Sequence, residues 1–141
     1  MYDTIQTTVE TSGKFKYPAA NSGEIKEIVD SEGNFFAGEV KEGSESTKHG
    51  VGMLISSIGQ LTEGTWEDDK LNGKARVIHG YGDIEIFNSE QGKKHGFCLY
   101  NESTGSKAVI EYDHDEEVSK FEQRMSMDEL LASTKEEMAT S

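Results

Sequence analysis

From residue 33 onward, apolar and polar positions alternate in runs of about seven, broken at regular places by glycine. In "GQLTEGTWEDD" (59–69), Leu61, Glu63 and Thr65 interleave with Thr62, Gly64 and Trp66, the two-residue period of a strand with unlike faces. "NFFAGEV" and "VGMLISS" read the same way before it, and "ARVIHGYG", "DIEIFNS" and "FCLYNES" after it. The glycines between them keep time. Gly50 and Gly59, Gly73 and Gly82, and Gly96 and Gly105 are three pairs with one internal spacing, and each pair follows the last by 23 residues. Such a period marks a repeat, and each repeat is expected to be strand, turn, strand, turn. The units are 33–58, 59–81, 82–104 and 105–122. The first carries three extra residues, which fall in the turn-like "EGSEST" (42–47).

The recurring phrase is "TKHG" at 47–50, "KLNG" at 70–73 and "KKHG" at 93–96. "KLNG" is expected to reverse the chain and "KKHG" to be the exit of a hairpin turn. The second glycine of each pair is expected to turn the chain into the next hairpin. One such hairpin is marginal alone, so its neighbours must complete its sheet. The expected fold is mainly β: an elongated antiparallel sheet of stacked hairpins with exposed ends. Residues 1–32 form an N-terminal extension. Within it, Ile25, Ile28 and Val29 place a degenerate half-unit over 24–32 that caps the sheet edge.

The pattern changes after residue 122. "FEQRMSMDELLASTKEEMATS" has no glycine and is rich in helix formers. Ser126 and Glu129 have capping-box spacing, and Met127, Leu130, Leu131 and Met138 fall on one helical face. Residues 123–141 are therefore expected to be a helix and tail. It either caps the array or presents its Met-Leu face to another protein.

These repeats resemble the MORN (membrane occupation and recognition nexus) pattern, Gly-x-x-Tyr-x-Gly-x-Trp followed by Gly-Lys-x-His-Gly-x-Gly. "GNFFAGEVKEG" with "KHGVGMLISSIG" carries the resemblance best, and it extends over about 33–112. The pattern's tyrosine position is held by Phe36, Thr62, Glu85 and Ala108, and its tryptophan position by Val40, Trp66, Ser89 and Tyr112. Its inner glycine is Gly38 and Gly64, then Phe87 and Ile110. Its last glycine is Gly52, then Ala75 and Cys98. The resemblance implies a non-enzymatic scaffold module in a cytoskeletal, ciliary or membrane-associated assembly. Phosphoinositide binding, or an accessory place in an enzyme complex, are the other roles it implies. Phe36, Trp66 and Tyr112 are the candidate anchors of a face that receives a helical or extended partner segment, with inter-unit packing as their other use.

Charge and chemistry narrow the picture. The 141-residue chain carries a net charge of −13, which opposes nucleic acid and acidic lipid headgroups. The N-terminal "MYDTIQTTVE" is polar, no apolar run approaches a membrane span, and the lone Cys98 points to a reducing compartment, cytosolic or nuclear, with the cytoplasm as the expected location. His49 and His95 occupy one repeat position two units apart, too distant to share an ion, and His79 and His114 lack a companion at ligand spacing. "DHDEE" (113–117) breaks the EF-hand pattern at its sixth and twelfth positions, so it reads as a solvated acidic turn. Cys98 lacks the arrangement of a nucleophile. The expectation is no catalytic residue, no metal, no cofactor and no small-molecule substrate.

Overall fold

A computed structural model describes residues 24–123. They form one nine-stranded antiparallel sheet in which every strand pairs with its neighbours in sequence. The strands are β1 (Glu24–Val29), β2 (Phe35–Val40), β3 (Lys48–Ile55), β4 (Leu61–Glu67) and β5 (Lys70–Ile78), then β6 (Ile84–Glu90), β7 (Lys93–Asn101), β8 (Lys107–Asp113) and β9 (Glu116–Gln123). The four repeats are thus β2–β3, β4–β5, β6–β7 and β8–β9. Strand β1 lies within the half-unit and pairs with β2 from Glu24↔Val40 to Val29↔Phe35. Among the described residues, β1 and β9 end the sheet and no helix is long and apolar enough to cross a membrane. The expected helix with Met127, Leu130, Leu131 and Met138 lies outside the described residues.

Two kinds of turn alternate. Between units, the Ser56 carbonyl accepts from Gly59 N–H at 2.9 Å, and Ser56 N–H donates to the Gln60 carbonyl at 2.8 Å. The same pair of bonds recurs at Asp30, His79 and Glu102. It closes a three-residue loop whose last residue needs φ > 0, and Gly59 supplies 84° without a Cβ penalty. Within units, two-residue type I′ turns put both residues at positive φ: Asp68 and Asp69, Gln91 and Gly92, His114 and Asp115. This corrects one expectation. "KLNG" does not reverse the chain; Asp68–Asp69 does, and Lys70 already pairs with Glu67 in β5. The first unit's extra residues do fall in its turn, where Lys41 N–H reaches the Thr47 carbonyl at 2.9 Å.

The recurring phrase has a different job. Pairs Ser89↔Lys94 and Phe87↔Cys98 enclose Asn88 on β6 but His95, Gly96 and Phe97 on β7. The same wide bulge lies at His49–Gly50–Val51 in β3 and at Asn72–Gly73–Lys74 in β5. Gly96 sits there at φ 96°. The bulge bends the strand and aims a carbonyl at the turn of the next unit. Asp69 N–H donates to Lys48 O at 2.9 Å, Gly92 N–H to Leu71 O at 2.7 Å, and Asp115 N–H to Lys94 O at 2.8 Å. These bonds stitch each unit to the next.

Alternation gives the sheet two faces. On the groove face, Lys26, Gly38, Gly52, Gly64, Ala75, Phe87, Cys98, Ile110 and Lys120 follow one another across the strands. The early part of this row is bare backbone, and the Phe36 ring lies over it: a Cβ at Gly52 would stand 2.5 Å from Phe36 Cζ. Further along, Ala75, Val77, Phe87, Cys98 and Ile110 make the main core cluster. On the opposite face, Leu61 and Ile78 are buried with Met53, Ile55 and Ile84 against them.

Candidate functional site

Along the groove face, aromatic rings bracket two lysines. Lys48 Nζ lies 5.5 Å from the Phe36 ring and 5.8 Å from that of Trp66. Lys94 Nζ lies 5.2 Å from the rings of both Phe87 and Tyr112. Both lysines precede His-Gly in the recurring phrase, and Leu71 holds the position between them. Each ammonium sits where ring quadrupoles attract it. Phe36 and Trp66 also meet edge to face at 5.7 Å, and Trp66 Nε1 donates to Gly52 O at 3.2 Å.

That geometry settles where the expected face anchors stand. Phe36 is 2% and Trp66 6% exposed, so both rings are spent on packing between units. Tyr112 is half-buried. Gly50, Gly73 and Gly96 lie in the bulges, and Gly59, Gly82 and Gly105 in the wide turns.

A buried carboxylate sits beneath the second bracket. Glu85, 6% exposed, accepts from Lys94 Nζ at 2.5 Å and lies 2.6 Å from His79 Nε2. Burial pulls the Lys94 ammonium down, but the Glu85 hydrogen bond and charge outweigh it and hold the pKa above its ordinary value. A raised lysine contributes stability in full below its unfolded pKa and loses it only as pH climbs through the folded one, so this pair is intact at neutral pH. Burial, with Glu85 nearby, pushes the Cys98 thiol up to about 11. Cys98 is fully buried. Its reaction with a chromogenic disulfide at pH 8 should therefore be at least about 100-fold slower in the folded chain than in urea. Equal rates would contradict this packing.

The last two strands open a concavity of about 530 Å³ on the same face, with Tyr100, Ala108, Ile110 and Tyr112 as its floor and Lys120 and Glu122 from β9 at its rim. Strand β9 is exposed from Glu116 to Glu122. It carries Val118 and Phe121 at 60% and 71% exposure.

A second cluster forms at the tips of the type I′ turns. His95 from the third bulge and His114 from the last turn stand with ring centroids 4.3 Å apart, beside Glu90 and Asp113. The expectation that His114 has no companion is thus overturned. The turn of one unit folds over the bulge of the unit before, so residues 19 apart meet. Asp68 N–H donates to His49 Nδ1, and Gln91 N–H to Asn72 Oδ1, at that same separation. The 23-residue period holds this pairing, but only together with the location of the turns.

Fold and site together define a meander of β-hairpin repeats with ring-bracketed lysines along one face and β9 as the edge strand among the described residues. No protein-family model matches the chain, and no curated protein matches it.

Proposed function

We propose that the chain is a divergent MORN-type array acting as a non-enzymatic protein-binding scaffold, and that its partner adds an extended segment along β9. The family resemblance supports a place in a cytoskeletal, ciliary or membrane-associated assembly, and cytoplasmic residence. The observation that carries the reading is the β9 edge, unpaired among the described residues, which exposes Val118 and Phe121 and borders the Tyr100–Tyr112 concavity through Lys120 and Glu122. An edge strand offers a row of main-chain donors and acceptors to an incoming strand, and alternate side chains of that strand can enter an adjacent pocket. The edge is acidic through Asp113, Asp115, Glu116, Glu117 and Glu122 on a chain of net charge −13, so a basic segment fits it.

Random peptides displayed on phage and selected on the full chain test this. The selected peptides are expected to alternate apolar with Lys or Arg residues and to weaken as salt rises. Val118→Asp with Phe121→Asp should cost them about tenfold or more in affinity, with little change in melting temperature. Selected peptides that bind the double variant undiminished would reject β9 as the docking strand.

A further inference from the structure

We propose that Glu90, His95 and His114 bind one divalent first-row transition ion, with Zn²⁺ the best fit, and that Asp113 orients both imidazoles. His95 Nε2 and His114 Nε2 each lie 3.6 Å from the same atom, Glu90 Oε2. One donor atom from each residue lies within 4.8 Å of the other two. Tetrahedral Zn²⁺ with bonds of roughly 2.0–2.1 Å needs ligand atoms about 3.3–3.4 Å apart. The two histidine–glutamate distances therefore close by a few tenths of an ångström, and the imidazole donors start within 4.8 Å of each other. Two imidazoles and one carboxylate are a zinc donor set with a fourth position left for water. All three side chains are about half exposed, so solvent can reach that position.

The other nitrogens strengthen the assignment. His114 Nδ1 is 2.7 Å and His95 Nδ1 3.5 Å from a single Asp113 oxygen. Each ring thus points one nitrogen at Glu90 and the other at Asp113, the carboxylate–histidine–metal arrangement that fixes a ligand's tautomer and aim. Comparison with the earlier units shows that this is not the ordinary use of the position. There the bulge side chain, His49 or Asn72, accepts the next turn's N–H. His95 Nδ1 is buried and makes no hydrogen bond. The junction of the third and fourth units keeps the main-chain stitch but lacks the side-chain bond made at the two earlier junctions, which leaves His95 Nδ1 to face Asp113 and Nε2 to face Glu90.

A bound ion would join the end of β6, the bulge of β7 and the turn between β8 and β9. It would clamp the last hairpin onto the array. Cys98 lies across the sheet on the groove face, which leaves nitrogen and oxygen as the ligands.

The test titrates the full chain with Zn²⁺ by calorimetry and with Co²⁺ by absorption. The expected result is one ion per chain and a tetrahedral Co²⁺ spectrum without thiolate charge transfer. A rise in melting temperature on the order of 5–10 °C is expected once Zn²⁺ exceeds Kd about 100-fold. His95→Asn installs the residue found at position 72, and His114→Gln the residue found at 91, so both suit the repeat. Each should weaken binding on the order of 100-fold or more, and Asp113→Asn about 10- to 100-fold. His49→Asn is the control and should change nothing. No saturable binding below about 100 μM Zn²⁺, or binding that persists in both His95→Asn and His114→Gln, would overturn the proposal.

Discussion

Alanine at Gly38 is expected to destabilise the protein by at least about 3 kcal/mol, the upper end of what overpacking costs. The new Cβ would stand 2.4 Å from Gly52 Cα, 2.6 Å from the Val51 carbonyl oxygen and 2.8 Å from Phe36 Cζ. The first two are backbone atoms of the neighbouring strand, and no rotamer change removes them. The Phe36 ring cannot yield either, because it is held against Trp66 with 2% of its surface exposed. Relief requires β2 and β3 to part, with loss of the ladder from Phe35↔Ile55 to Gly38↔Gly52. Against a typical total of about 5–15 kcal/mol, this brings the first unit close to unfolding. Gly96→Ala is the comparison. Its Cβ would meet nothing within 4 Å, so only the positive φ of 96° is at stake. That strain costs about 1–2 kcal/mol. Urea denaturation of both variants should separate them clearly. Equal midpoints would mean that the close approach of β2 and β3 is wrong.

Arg76→Leu is expected to cost about 3–5 kcal/mol at pH 7. Arg76 and Glu63 face each other across β4 and β5 with side chains 5% and 8% exposed. Arg76 Nη2 donates to both Glu63 oxygens, at 3.1 and 3.3 Å. Burial raises the Glu63 pKa above its ordinary value, and the Arg76 charge and hydrogen bond pull it only partly back. Removal of the guanidinium leaves an ionised carboxylate in a dry site and lets its pKa rise further. A carboxyl raised in the folded state takes up its proton there first as pH falls. The penalty is therefore largest at neutral pH and shrinks as pH drops from 7 toward Glu63's ordinary value near 4.5. Thermal melts of the variant should show it relatively more stable at pH 5 than at pH 7. Glu63→Leu combined with Arg76→Leu should recover most of the loss, since an apolar pair of similar volume replaces a buried ion pair at little cost. A double variant no more stable than Arg76→Leu would show that the carboxylate is not the source.

Both predictions concern contacts that no strand pattern displays. Alternation in "GQLTEGTWEDD" tells that Glu63 and Trp66 lie on opposite faces, but not which face is covered. Arg76 becomes Glu63's partner only through the register of β4 on β5. The drift of the repeats also looked different in one dimension. Glu85 and Phe87 depart from the aromatic and glycine positions held by Phe36 and Gly38. In three dimensions the third unit has moved its ring two residues along the same face. Phe87 fills the row that Gly38, Gly52 and Gly64 leave bare, and Glu85 finds Lys94 and His79.

Sequence by itself determined the succession of antiparallel hairpin units behind a half-unit, the unit lengths and the place of the three-residue insertion. Those features depend on local preferences: side chains that alternate every two residues, and glycine where the backbone must take positive φ. Tertiary structure alone decided that Asp68–Asp69 turns the chain while "KLNG" bulges, that Phe36 and Trp66 are packed away, and that His95 meets His114. Each of these depends on how far one strand slides against the next, and a bulge resets that slide at every unit. Register is a property of two chain segments together, so neither segment's residues state it.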